Sequence, residues 1–197
     1  FFLTTVAELP PAMAGVIMTL GTVADAVFCP TIGYISDNIK TRWGRRTPFL
    51  FMFGVLIFFS LTLMFTAVNG PLWFKGLYYG FFVVLFWISF TGFFIPFLAL
   101  GAEITQDYNE RTVLRSFASF TNLIGSLVAM TIPSILVAFV ENAGGSTQIA
   151  WAITAGLIAF TGSVGIIATA ISCRKFDPPA EALEFPKLNL KTMALEY

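Results

Sequence analysis

The chain has 197 residues, of which 57% are hydrophobic and only 11% charged, with 23 phenylalanines among them; its mean hydropathy is +0.83. Globular proteins average about 25% charged residues, so this composition argues against a soluble enzyme, and its apolar content excludes a disordered chain. Eleven Lys and Arg balance eleven Asp and Glu, which leaves no basic excess for nucleic acid.

A lipid bilayer is the solvent that fits. A helix needs about 20 mainly apolar residues to cross it. In chain order, FFLTTVA at the start reads as the end of an earlier hydrophobic segment, and five full stretches follow at about 11–36, 48–68, 76–100, 113–140 and 149–173. The joints between them are short and polar: DNIKTRWGRR, VNGPLWFK, EITQDYNER and ENAGGSTQ. After Cys173 the chain turns polar, and Pro178, Pro179 and Pro186 argue against a continuing helix. No alternating ten-residue pattern of a membrane barrel appears. The fold class predicted is an all-α membrane bundle over 1–173, with a polar segment at 174–197. The opening segment and the absence of an initiating Met lead us to expect a piece of a larger membrane protein.

Cations set the orientation. Lys40, Arg42, Arg45 and Arg46 lie in the first joint, Arg111 and Arg115 in or just past the third, and Arg174, Lys175, Lys187 and Lys191 after the last span; only Lys75 has the opposite parity. Positively charged loops stay cytoplasmic, so the first and third joints and the tail are assigned to the cytoplasm.

Polar residues inside the spans are the candidate functional groups. Asp25 is the one carboxylate deep in a span, where a charge costs roughly 2.5–3.5 kcal/mol on insertion scales. Met18, Thr22, Asp25 and Cys29 share its helical face. The acid either serves a solute pathway or is a neutral, hydrogen-bonded structural group. In the fourth span Arg115, Ser119, Asn122 and Ser126 recur on one face, opposite Phe117, Phe120, Leu123, Leu127 and Val128. This stripe is expected to point inward, either lining a cavity or cementing helix contacts beside Gly125 and Ala129. The third span is crowded with aromatics, Trp87 and Thr91 one turn apart and Pro96 beyond them. The chain has no histidine, no metal-ligand spacing and no phosphate loop. Neither cofactor nor metal is expected, and proton handling would fall to carboxylates.

Two loops carry a family resemblance. GYISDNIKTRWGRRTPF, Gly33 to Phe49, resembles the signature loop between the second and third helices of major facilitator transporters. Its Trp-Gly-Arg-Arg-x-Pro-Phe form is similar to the glycoside–pentoside–hexuronide:cation symporter family, the melibiose-permease type. ALGAEITQDYNERTVLRSF, Ala99 to Phe117, is similar to that family's loop between helices four and five. The resemblance implies the amino-terminal six-helix half of a twelve-helix transporter: the end of helix one, helices two to six, and the start of a cytoplasmic central loop at 174–197. It implies a second six-helix half as partner and a cell-membrane location. It also implies a conformational gating motif of Gly33, Asp37, Arg42, Gly44, Arg45 and Arg46, in which Asp37 accepts charge-assisted bonds from the arginines and Gly44 permits a tight turn.

For the site, the resemblance implies a helix normally carrying two acids four residues apart that help bind the coupling cation (Na+, Li+ or H+). Asp25 matches the first, Cys29 replaces the second, and Phe28 replaces a polar neighbour. Thr91 matches a cation-site hydroxyl, and Arg115 the helix-five arginine. Where sugar-binding members carry an Asp and a Trp around Ile95-Pro96-Phe97, this chain has Phe94 and Leu98. The expectation is a secondary transporter of a small organic solute, a sugar or glycoside, by alternating access. Asp25, Cys29, Thr91, Arg115 and Asn122 are the substrate- or cation-binding residues, and H+ coupling or facilitated diffusion is favoured over Na+ coupling. An amphipathic, lipid-like substrate or a non-transporting scaffold subunit are the alternatives.

Overall fold

A computed structural model describes residues 1–38, 44, 46–103 and 107–174, with backbone alone at Asp37, Asn38, Ala102 and Glu103. Five long helices follow a single π-helical turn at Phe2–Val6: α1 Pro11–Asn38, α2 Thr47–Met64, α3 Leu72–Glu103, α4 Tyr108–Asn142 and α5 Thr147–Cys173. All five are long and apolar enough to cross a membrane, and no strand occurs among the described residues beyond a one-residue bridge at Gly44. The sequence places every one of these helices. The tail from 175 onward lies outside the described residues.

Local chemistry explains the helix ends. Pro48 stands in the first turn of α2, where a missing N–H is harmless. Asp107 caps α4, its carboxylate accepting from the backbone N–H groups of Asn109 and Glu110 at 2.7 and 3.1 Å. Ser146 caps α5 through Ile149 N–H at 3.4 Å. Between them Gly144, at φ +89°, turns the chain in a conformation open to glycine. Within the spans most hydroxyls bond the carbonyl four residues back, as Thr22 does to Met18 at 3.2 Å and Thr169 to Gly165 at 2.8 Å. That satisfies them without leaving the helix, as hydrocarbon surroundings demand.

In space the helices follow the order α1, α3, α2, α5, α4, each packing mainly on the next. The first two run in the same direction. Their seam is built on glycines: Gly76 meets Met13, Gly80 meets Ile17, Gly21 meets Trp87, and Gly33 approaches Ile95. Such small residues let backbones approach where no hydrophobic effect drives association. On the other side of α3, the Phe53 ring of α2 lies on Gly92. The antiparallel α2 and α5 are joined by Ser163, whose Oγ donates to the Gly54 carbonyl at 2.9 Å. Among the described residues α4 loses exposure in its second half, at Pro133, Leu136, Val137 and Val140, while its first half is exposed.

At the end of the bundle that the cation distribution assigns to the outside, Phe2, Phe65, Tyr79 and Trp151 form an aromatic cluster under the N-terminal turn. Tyr79 Oη donates to the Thr66 carbonyl at 3.1 Å and accepts from Val68 N–H at 3.3 Å. Tyr78 Oη donates to the Leu63 carbonyl at 2.9 Å. The two hydroxyls take up backbone groups that α2 leaves open at its end. Lys75 Nζ donates to the Ala7 carbonyl at 3.0 Å and stands 4.0 Å from the Glu8 carboxylate. Removing the hydroxyl alone, with Tyr79→Phe, should cost about 1–2 kcal/mol for its two bonds. Thermal denaturation in detergent measures this, and an unchanged Tm would remove Tyr79 as the clasp of this end.

Candidate functional site

Asp25 projects from α1 into the seam with α3, half-buried. There Thr91, 3% exposed, donates its hydroxyl to Asp25 Oδ1. Thr91 Oγ1 also lies 3.0 Å from the Trp87 carbonyl of its own helix. A hydroxyl has one hydrogen, so carboxylate and carbonyl compete for it. With a proton on Asp25 the roles rearrange: the acid donates to Thr91 Oγ1, and Thr91 donates to the Trp87 carbonyl.

The surroundings are apolar. The Trp87 indole sits directly over Gly21, one turn before Asp25, and meets Phe86 and Phe90 edge-on at 6.3 and 6.4 Å. Phe86, Phe90 and Phe94 form a stacked ladder with centroids 6.2 and 5.5 Å apart. Phe86 lies two turns beyond Tyr79, so the ladder continues the face of α3 that Tyr79 turns to the N-terminal turn. Phe90 and Phe94 are nevertheless 38% and 39% exposed.

Of the residues that the sequence nominates, the structure brings Asp25 and Thr91 together. Cys29 follows Asp25 by one turn as a half-buried free thiol. Arg115 and Asn122 lie on the exposed first half of α4, away from that pair. The stripe they form with Ser119 and Ser126 continues the face that meets α5 further along; Ser126 Oγ spends its hydrogen on the Asn122 carbonyl at 2.9 Å. Gly125 has open space where a Cβ would lie, so it makes no close helix contact here.

In the gating motif, Gly33 lies in the α1–α3 seam. Gly44 adopts φ +104°, which favours glycine, and Arg46 is buried at the start of α2. Arg42, Arg45 and the Asp37 side chain lie outside the described residues.

Sequence reasoning missed Gly21, whose place four residues before Asp25 on the same face was the available signal. It also missed the Tyr79 and Lys75 clasp, which no periodicity encodes. A separate cavity of about 530 Å3 opens between the N-terminal turn and the facing ends of α4 and α5, lined by Glu8, Ser134, Glu141, Gln148 and Trp151 among others. Among the described residues no three His, Cys, Asp or Glu side chains cluster as a metal site.

Five membrane-length helices with one carboxylate held in a helix seam define a multi-pass helical membrane protein. The sequence matches the MFS/sugar transport protein family over residues 1–194, and the chain belongs to that family. It is 33% identical to an uncharacterised symporter of Synechocystis over 70% of this chain and 26% of that protein. It is 26% identical to the lactose permease of Lactobacillus helveticus, over 60% of this chain and 20% of the permease. It is 29% identical to the sodium-dependent lysophosphatidylcholine symporter 1-B of Danio rerio, over 75% of this chain and 28% of the symporter. The chain therefore spans about a fifth to just over a quarter of the length of these relatives.

Proposed function

We propose that the chain is the amino-terminal half of a secondary transporter of the cell membrane. It moves a small organic solute by alternating access, pairing with a second six-helix half to complete the site at the midplane. A sugar or glycoside is the solute class, in keeping with the lactose permease among its relatives. The coupling ion is H+, or the protein works by facilitated diffusion.

The observation that carries this reading is the Asp25–Thr91 bond across the α1–α3 seam. A hard cation such as Na+ takes several oxygen ligands, whereas this pair offers one carboxylate and one hydroxyl, with the Cys29 thiol one turn on. A proton needs no more than the acid and its partner. The sodium-dependent relatives argue the other way, so coupling is the point to test. Uptake of radiolabelled lactose by proteoliposomes of the full-length protein should follow an imposed pH gradient and ignore a Na+ gradient. Strong stimulation by Na+ at constant pH would overturn the proton assignment.

A second substrate reading rests on the Phe90–Phe94 stack, whose exposed rings offer apolar surface beside the acid. That surface suits an amphipathic molecule better than a polyol, and Phe94 and Leu98 stand where sugar-binding members carry Asp and Trp. Uptake of a lysophospholipid without uptake of lactose or other sugars, in the same vesicles, would select this reading over the sugar.

A further inference from the structure

Both helices of the seam carry an internal proline, Pro30 in α1 and Pro96 in α3. Pro30 follows Asp25 by five residues, and Pro96 follows Thr91 by five. Because α1 and α3 run in the same direction and are pinned to each other by the Asp25–Thr91 bond, the two prolines stand at one level of the bundle. Proline has no N–H to donate, so the carbonyls of Ala26 and Gly92 lose their usual partners four residues on. Each of those carbonyls belongs to the residue immediately after a member of the bonded pair. Both helices are therefore weakened at the same height, one residue from the side-chain bond that joins them.

Contacts join the helices before this level, where Gly21 lies under Trp87, and at it, where the Cβ position of Gly33 lies 3.8 Å from Ile95, the residue preceding Pro96. With the helices held together before this level and at it, a bend in one requires a bend in the other. Thr91 adds a trigger. When Asp25 turns to a solute or a metal cation, Thr91 is left with the Trp87 carbonyl, 3.0 Å away, and the bond that crosses the seam is lost; a proton on Asp25 alone reverses that bond and keeps it. A side-chain bond to a carbonyl four residues back also favours helix bending.

We propose that Pro30 and Pro96 form a paired hinge across the α1–α3 seam, latched by the Asp25–Thr91 hydrogen bond and released when Asp25 takes another partner. The proposal rests on the alternating-access reading, which is what requires two helices to bend together. That partner is a solute or a metal cation, since a proton alone reverses the bond without breaking it. The groups that face Asp25 are Thr91 and Trp87 of α3 and Cys29 of its own helix. The nearest ionisable side chain of α3 on the described residues, Tyr79, is twelve residues from Thr91, about 18 Å along the axis. The N-terminal turn, Phe2–Val6, brings no ionisable side chain.

Cys29, between Asp25 and Pro30 and half-buried, supplies a reporter that needs no substrate and no gradient. The rate of its alkylation by N-ethylmaleimide is read by peptide mass spectrometry on the full-length protein in proteoliposomes. Thr91→Val, which removes the latch, should raise that rate about fivefold, the shift that losing one hydrogen bond produces. Pro30→Ala and Pro96→Ala, which restore the helix bonds, should lower it by a similar factor. Thr91→Val should have no further effect in the Pro96→Ala background. Pro96→Gly, which removes the ring but keeps the helix soft, should label at the original rate; this also separates hinge loss from misfolding. Wild-type labelling in both alanine variants would overturn the hinge, as would an undiminished Thr91→Val effect on top of Pro96→Ala. Failure of proton coupling in the uptake assay leaves these rates untouched, so the two readings fail separately.

Discussion

Asp25→Asn should abolish uphill accumulation of solute while leaving the protein folded and able to exchange solute downhill. The substitution changes little in shape. An asparagine Oδ1 still accepts the Thr91 hydroxyl, so the seam keeps its cross-helix bond. What disappears is the capacity to take up and release a proton or to face a cation with charge. A tenfold concentration ratio requires about 1.4 kcal/mol per solute molecule, and only a coupled ion supplies it. With an amide in this place the expected steady-state ratio in vesicles falls to about one, while counterflow exchange survives. An Asp25→Asn variant that still concentrates its solute tenfold would remove Asp25 from the coupling mechanism.

The positions of the helices were legible because hydrocarbon imposes length and composition on every span. Where the boundaries differ, a specific interaction overrode the pattern. The helix α3 starts at Leu72 rather than near 76, because Lys75 sends its charge sideways to the Ala7 carbonyl instead of ending the apolar run. The helix α2 stops at Met64 rather than 68, where Tyr78 Oη bonds the Leu63 carbonyl and Tyr79 Oη bonds the chain just past the helix, at Thr66 and Val68. Asp107 starts α4 several residues early by capping it.

The site was legible in part. Asp25 stood out as a carboxylate in an apolar span, and Thr91 was nominated through the loops that carry the family resemblance. That these two meet is a matter of which helices are neighbours. A uniformly apolar span does not encode this, since every face of such a helix is compatible with lipid or with a partner. The polar stripe of α4 was legible as a stripe, but its direction was not: Arg115 and Asn122 lie on the exposed first half of the helix.

Gly92→Ala should be a strongly damaging methyl addition in the bundle. Three atoms of the Phe53 ring lie 2.5 Å from the place where its Cβ would go, a separation no real contact tolerates. Phe53 is itself buried and stacked on Phe49 at 6.2 Å, so the ring has no free space to swing into. Overpacking of this kind costs about 1–3 kcal/mol. The strain falls on the residue next to Thr91, so a shift of α3 also disturbs the bond to Asp25. Gly76→Ala offers the comparison. Its Cβ would meet the terminal methyl of Met13, the far end of a flexible chain that can turn aside, and the loss should be small. In detergent the Gly92 variant should melt well below the Gly76 variant, and trimming the ring with Phe53→Leu should return most of the lost stability. Equal melting temperatures for the two alanine variants would show that Phe53 yields as easily as Met13. The α2–α3 interface would then not be what fixes Thr91 in place.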